Sequence, residues 1–301
     1  MSEIANDPSR LPAAVRVLRP HQWVKNLLAL VPLLSAGAVA DAQGWLSSAA
    51  MFGAFCAMAS GAYILNDISD LAADRQHPRK SRRPLASGDL SVGQGLALVL
   101  PLWALAVALG TYSGALPVLL LYAATSVAYS YRLKEVPLVD VFTLAGLYTL
   151  RLFGGGVASG YPVSLWLLAF SSFFFLSLAM VKRVSELSRL QASSQVEAAR
   201  RGYSVQDLGM LQTMGTGAAF VSSLVLSLYV QSDIASRSYA SPSVLWAVIP
   251  LLLFWQCHLW LSTARGQMHD DPIVYALRDR VSWAVLALLI VVVVAARLQF
   301  W

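Results

Sequence analysis

Asn66-Asp67-Ile68-Ser69-Asp70-Leu71-Ala72-Ala73-Asp74-Arg75 follows directly on an apolar run from Trp45 to Leu65 that reads as a helix. If the helix continues, Asn66, Asp70 and Asp74 stand at i, i+4 and i+8 and share one face, with Asp67 on its flank a turn before Asp70. Acceptor oxygens crowded at a membrane border are costly, because like charges repel and each is penalised by desolvation. A hard divalent cation removes the conflict, and Mg²⁺ takes oxygen ligands while keeping waters and phosphates in its shell. A basic run follows at once: His77, Arg79, Lys80, Arg82 and Arg83, then Pro84. Carboxylates that hold a metal, followed by cations, suit a diphosphate–metal complex. The plain alternative is a solvated loop that only sets topology, and such a loop has no need of this spacing.

Working outward, the chain of 301 residues is 57% hydrophobic and only 13% charged, which places it in the membrane class and predicts an all-α polytopic protein. Arg10, Arg16, Arg19 and Lys25 precede the first apolar run, so no cleavable signal is expected. Nine candidate spans run over about 23–40, 45–65, 93–111, 115–131, 137–157, 163–181, 208–230, 243–263 and 281–299, each close to the roughly 20 residues that a bilayer requires. Pro101 predicts a kink in the third, and Pro137 a helix start in the fifth. Cys56 and Cys257 fall inside apolar runs and read as packing residues.

The net charge of +6 could suggest nucleic acid, but its distribution points elsewhere. Of the 22 Lys and Arg, nineteen fall in the N-terminus and in the loops after the second, fourth, sixth and eighth spans. That asymmetry predicts a cytoplasmic N-terminus, a C-terminus on the opposite side, and a site on the cytoplasmic face of the cell inner membrane. The whole chain, 1–301, reads as a single membrane domain with a cytoplasmic segment at 1–20. No feature sets an oligomeric state. The connection 182–207 is long enough to carry a helix, which reads over 192–201 and could act as a lid.

Three further segments on the same face carry chemistry. In Arg19-Pro20-His21-Gln22-Trp23-Val24-Lys25-Asn26, Trp23 suits an interfacial belt, and Lys25 and Asn26 can reach an anion. Tyr129-Ser130-Tyr131-Arg132-Leu133-Lys134 offers Tyr129 and Lys134 to phosphate oxygens. Asp140 follows just inside a span, where an acid is functional by default or pairs with Lys134 or Arg151. Lys182-Arg183-Val184-Ser185-Glu186 can hold a second phosphate group or anchor topology. In the last loop the charges of Asp270, Asp271, Arg278, Asp279 and Arg280 either close over the site or pair with each other. The four histidines are scattered and lack metal-ligand spacing, and no nucleotide-binding loop or nucleophile elbow occurs.

Taken together, Asn66-x-x-x-Asp70-x-x-x-Asp74, the Tyr129…Lys134 element and the spans resemble the UbiA superfamily of intramembrane prenyltransferases over nearly the whole chain. The resemblance implies nine helices around a cytoplasm-facing polar cavity, with a magnesium-bound diphosphate beside a lateral opening to lipid. Aromatic prenyltransferases of that superfamily carry a second D-x-x-x-D motif after the sixth span, where this chain has Lys182, Arg183 and Glu186. The patterns Asn66-Asp67…Asp74-Arg75-x-His77-Pro78-x-Lys80…Arg83-Pro84, Lys182-Arg183-x-x-Glu186 and Ala276-Leu277-Arg278-Asp279-Arg280 are similar to the decaprenyl-phosphate phosphoribosyltransferase branch.

The branch implies phosphoribosyl pyrophosphate as donor and a polyprenyl phosphate as acceptor. Asn66, Asp67, Asp70 and Asp74 would hold Mg²⁺. Lys80, Arg83 and Lys134 would neutralise the leaving group, with Lys25, Arg75, Tyr129, Glu186 and Arg278 also lining the substrate. Lys182 and Arg183 would take the 5-phosphate or the lipid phosphate, and Asp140 would orient the ribose or balance a cation. The acceptor is already an anion, so no strong general base is required. Two rivals stand beside this reading. One is transfer of an isoprenoid from a prenyl diphosphate to a small acceptor. The other is transport of an anionic solute, for which Asp140 and Arg151 lie within the membrane.

Overall fold

The computed structural model describes residues 11–76, 80–192, 202–268 and 271–297, and every regular element among them is helical. The principal helices are α1 (Ala42–Ser69), α2 (Leu71–Gln76), α3 (Val92–Tyr112), α4 (Leu116–Tyr131), α5 (Val139–Ser159), α6 (Leu165–Ala192), α7 (Leu208–Val230), α8 (Val248–Ala264), α9 (Pro272–Arg278) and α10 (Arg280–Arg297). Seven of the described helices are long and apolar enough to cross a membrane: α1, α3, α5, α6, α7, α8 and α10. The expected count of nine is therefore not reached by that measure. The span expected over 115–131 is the apolar helix Leu116–Tyr131, at 16 residues. The span expected over 23–40 is broken into a 3₁₀ stretch, Pro20–Leu30, and the short α-helix Val31–Ser35. The cause is Pro32, which has no N–H and whose ring would strike the carbonyl four residues earlier in a continuous α-helix. Residues 77–79, 193–201 and 269–270 lie outside the described set, and with them His77, Pro78, Arg79, His269, Asp270 and nearly all of the expected lid helix.

The chain divides into two compact units. The first comprises Met1–Tyr131 with Leu150–Pro162, and the second Arg132–Thr149 with Val163–Trp301. In the first unit α1 is the central helix, buried over most of its length, and α3 and α4 pack against it. Its middle is a run of small residues, with Ala54, Cys56, Ala57, Ala59, Ser60, Gly61 and Ala62 all buried. Small residues let membrane helices approach closely where no hydrophobic drive separates protein from lipid. Trp103 of α3 lies over Gly61 and donates its indole N–H to the Met58 carbonyl at 3.3 Å. Asp41 caps the start of α1, its Oδ1 accepting from the Gly44 N–H at 3.0 Å.

Gly155 sits against the backbone of Ala29, so that a Cβ there would meet the Ala29 carbonyl and lie 2.7 Å from its Cα. Backbone cannot rotate aside as a side chain can. Gly155→Ala is expected to cost about 1–3 kcal/mol, read as a lowered Tm in detergent, whereas Gly146→Ala, where nothing lies within 4 Å, is expected to leave Tm nearly unchanged.

In the second unit α6, α7, α8 and α10 pack together through buried polar contacts. Ser223 Oγ donates to Gln256 Oε1 and Gln256 Nε2 donates to Ser222 Oγ, both at 2.8 Å, tying α7 to α8. Trp260 donates to Ser177 Oγ at 3.1 Å. Each bond satisfies a group that hydrocarbon would leave unpaired. Cys56 is buried as expected of a packing residue, but Cys257 is exposed, because the surface of α8 that carries it faces outward.

Candidate functional site

In the first unit the polar cluster is built on α1. Cys56, Ser60, Tyr63 and Asp67 follow one another at intervals of three or four residues and so line one helix face. The N-terminal segment runs antiparallel along them. Asn26 Nδ2 donates to Cys56 Sγ at 3.3 Å, and Trp23 Nε1 to Ser60 Oγ at 3.0 Å. Ser60 Oγ in turn donates to the Leu18 carbonyl at 2.9 Å. The Arg19 guanidinium lies 5.1 Å from the centre of the Tyr63 ring and pairs with Asp67 Oδ1. Arg19 holds this pose on a left-handed backbone, φ 54° and ψ 59°, which a residue with a Cβ rarely adopts.

The acidic motif begins inside α1 and ends outside it. The helix stops at Ser69, Asp70 takes the cap position, and α2 starts at Leu71. The expected continuous helix is thus interrupted, yet its register survives. The Asp70 N–H donates to the Asn66 carbonyl at 2.9 Å, and the Asp74 N–H to the Asp70 carbonyl at 2.8 Å. The side chains divide differently from the expected single face. Asn66 Nδ2 donates to Asp70 Oδ2 at 3.2 Å. Asp67 and Asp74, two turns apart and each 2% exposed, both accept from Arg83 Nη1, at 3.0 and 2.5 Å. Lys80 Nζ stands 3.8 Å from Asp74 Oδ1. Arg75, in contrast, is exposed.

Two buried carboxylates therefore converge on one positive atom, with Asp70 and Asn66 next along the chain. That all-oxygen donor set is the chemistry a hard divalent cation takes. As the side chains stand, no three His, Cys, Asp or Glu residues among those described are grouped closely enough to hold a metal ion, so Asp70 must turn from Asn66 to complete a site.

Deeper in the same unit, Arg151 of α5 is 5% exposed. Its Nε donates to Asn26 Oδ1 at 2.7 Å and its Nη2 to the Tyr122 hydroxyl at 2.9 Å, with the guanidinium 4.8 Å from the Tyr122 ring centre. Lys25, beside Asn26, is buried, and Tyr129 is half-buried.

The second unit holds Lys134, Asp140, Lys182, Arg183, Glu186 and Arg278. Its centre is an ion pair with both side chains at 0% exposure: Arg183 Nε to Asp140 Oδ2 at 2.8 Å, and Nη2 to Oδ1 at 3.1 Å. Arg183 Nη1 pairs with Glu186, and the guanidinium lies 5.7 Å from the Tyr203 ring centre. The Tyr203 hydroxyl accepts from the Leu138 N–H at 2.7 Å, where Leu138 takes a φ of 65°. Burial pushes the Tyr203 phenol above its usual range, with this N–H donor working the other way. Gly202, at φ 63°, passes so close to Glu135 and Pro137 that a Cβ would lie 2.9 Å from Pro137 Cδ. Arg183 is thereby committed to carboxylates, and the residues around it fix the 135–140 turn into α5. Lys182 is the more accessible neighbour, its side chain 36% exposed and its Nζ 3.7 Å from Asp271 Oδ2. Lys134 is buried and Arg278 exposed.

Sequence reasoning left three contributors out of the expected site. Arg19 was read as one of the basic residues that precede the first apolar run, and its left-handed turn before Pro20 leaves no pattern. Arg151 was named as a possible partner of Asp140 and as an intramembrane charge that would suit transport, not as part of the transferase site. Asp271 was legible as a helix cap, since Asp followed by Pro272 marks a helix start, and its Oδ1 does accept from the Ile273 N–H at 3.2 Å. Nothing local announced its second partner, Lys182.

The profile of the UbiA prenyltransferase family matches residues 29–270. The chain belongs to the UbiA prenyltransferase family. With seven long apolar helices among its described residues, this UbiA protein is a multi-pass membrane transferase. It is 38% identical to the uncharacterized protein y4nM of Sinorhizobium fredii, over 90% of this chain but only 53% of that one. Nodulation protein NoeC of Azorhizobium caulinodans is 35% identical, over 87% of this chain and 85% of its own. Decaprenyl-phosphate phosphoribosyltransferase of Mycobacterium tuberculosis is 32% identical over the full length of both chains. The UbiA fold is shared with a homolog from Archaeoglobus fulgidus solved bound to DMAPP and Mg²⁺, at a TM-score of 0.70, 16% identity, and coverage of 92% of this chain and 98% of that one.

Proposed function

We propose that this protein transfers the 5-phosphoribosyl group of phosphoribosyl pyrophosphate to a polyprenyl phosphate of decaprenyl type, feeding cell-envelope polysaccharide precursors. The supporting observation is in the second half of α6, where a half-buried lysine, Lys182, stands beside an arginine bound to Asp140 and Glu186. An isoprenoid-diphosphate enzyme would carry a second pair of magnesium-binding carboxylates there. The full-length likeness to a relative named decaprenyl-phosphate phosphoribosyltransferase points the same way.

In this reading Asn66, Asp67, Asp70 and Asp74 hold Mg²⁺, which when bound supplies positive charge beside the donor's pyrophosphate. Lys80, Arg83 and Lys25 neutralise the pyrophosphate as it leaves with the electron pair of the C1–O bond, and Arg75 and Tyr129 extend its contacts. A lipid phosphate oxygen attacks C1, and being already ionised it needs no base. Lys134 and Arg278 also bind phosphate oxygens. Lys182 binds the 5-phosphate or the lipid phosphate, while Arg183, with Glu186 and Asp140, ties α6 to the start of α5. The charge asymmetry along the chain supports a site on the cytoplasmic face of the inner membrane, with the N-terminus inside and the C-terminus opposite.

Purified protein incubated with Mg²⁺, phosphoribosyl pyrophosphate and a polyprenyl phosphate should yield phosphoribosylated lipid by mass spectrometry. Product only from a prenyl diphosphate and a small acceptor would replace this reading with the second one, which the DMAPP-bound fold relative favours. Lys182→Ala should raise KM for donor or lipid by roughly tenfold, the scale of one charge-assisted hydrogen bond. Unchanged kinetics for both substrates would leave Lys182 as a topology anchor.

A further inference from the structure

Asp67 and Asp74 are buried carboxylates already matched by cations of the chain itself. Arg83 bridges the two, Lys80 lies beside Asp74, and Arg19 closes on Asp67 from the N-terminal segment. Arg19 is the unusual member. Its side chain is only 19% exposed, its backbone is left-handed, and the ring of Tyr63 one turn before Asp67 backs its guanidinium. Strain of that kind persists only where the surroundings over-determine it, and here the surroundings are the hydrogen bonds from Trp23 and Ser60 on either side.

A divalent cation arriving alone at Asp67 and Asp74 must push two guanidinium groups off their carboxylates and leave them in a poorly solvated place without an anion. A diphosphate arriving alone finds those guanidiniums occupied. Arriving together, the metal takes the carboxylates and the diphosphate oxygens take the guanidiniums, so every charge keeps a partner.

We propose that Arg19 and Arg83 are stand-in counter-ions for Asp67 and Asp74, and that they make metal and diphosphate bind as a coupled pair. This rests on the reading that Asp67, Asp70 and Asp74 hold the metal. It adds that Arg19, through the carboxylate it releases, sets how strongly each ligand depends on the other. Coupling of this type is reciprocal, and its usual scale is about 5- to 150-fold.

The test uses full-length protein in detergent, with protein-bound Mn²⁺ measured by electron paramagnetic resonance. Inorganic pyrophosphate is the probe, and its complex with Mn²⁺ in solution is accounted for. In the wild type, pyrophosphate should tighten Mn²⁺ binding by at least about tenfold, within that scale. In Arg19→Gln, Mn²⁺ alone should bind several-fold tighter than in the wild type, pyrophosphate should bind more weakly, and the tightening should shrink. Arg19→Lys, which restores the charge, should recover much of the coupling and shows that the loss in Arg19→Gln is not misfolding. Equal Mn²⁺ binding with and without pyrophosphate in the wild type overturns the proposal, as does Arg19→Gln binding that matches wild type. Absence of Mn²⁺ binding under every condition, with Asp70→Asn indistinguishable from wild type, overturns the metal assignment itself and the proposal with it. That outcome is distinct, because in the first two cases binding is present and only its coupling is missing.

Discussion

Asp70→Asn is expected to reduce phosphoribosyl transfer by about 10²–10³-fold or more, the loss seen when one electrostatic stabiliser of a developing charge is removed, while the protein stays folded. The two halves of that expectation have separate grounds. Asp70 is half-buried at the cap of α1, and its backbone N–H keeps its bond to Asn66 whatever the side chain. Asparagine keeps the shape and can still meet the Asn66 amide, so the break between α1 and α2 should persist. What disappears is the negative charge that can turn from Asn66 toward the point where Asp67 and Asp74 converge. Transfer of labelled phosphoribosyl to lipid, beside thermal unfolding in detergent, reads both. Undiminished transfer would remove the metal assignment. Asp67→Asn makes the contrast. It also removes the buried negative charge that Arg19 and Arg83 face, so it should lower stability as well as transfer.

Arg183→Met should destabilise the second unit by about 3–5 kcal/mol, because removing one member of a buried pair strands the other charge. Asp140 is 0% exposed and takes two hydrogen bonds from Arg183, and the ion pair of Arg183 with Glu186 is lost at the same time. The double variant Arg183→Met with Asp140→Leu should lose less than Arg183→Met alone, since the Asp140 carboxylate is then removed together with the guanidinium it faces. Denaturant or thermal unfolding of the four proteins in one detergent gives the cycle. Additive losses would mean that the pair does not act as a unit. This outcome would also return Arg183 to the role first read for it, that of a phosphate ligand. A bound Arg183 predicts lost stability, whereas a phosphate-binding Arg183 predicts a raised KM on a stable fold.

The contrast runs through the whole molecule. Long apolar runs made the all-helical membrane class readable residue by residue, because a chain in lipid must satisfy its own backbone and the helix is the local way to do so. The motif Asn66…Asp74 was readable for the same reason: a four-residue repeat is a statement about one helix, and its carbonyl–amide bonds survive even the break at Asp70. Pro32 and Asp271 before Pro272 are equally local signals, yet both were passed over, with an unbroken span expected over 23–40 and only a loop charge at Asp271. What depended on tertiary packing was the identity of each charge's partner. That Asp74 shares Arg83 with Asp67, that Arg19 reaches over Tyr63, that Asp140 belongs to Arg183, and that Asn26 joins Cys56 to Arg151 follow from which helix faces meet. Periodicity says which residues share a face. It is silent on what lies opposite, and in a low-dielectric interior it is the opposing charge that decides whether a carboxylate is a ligand, a latch or a strut.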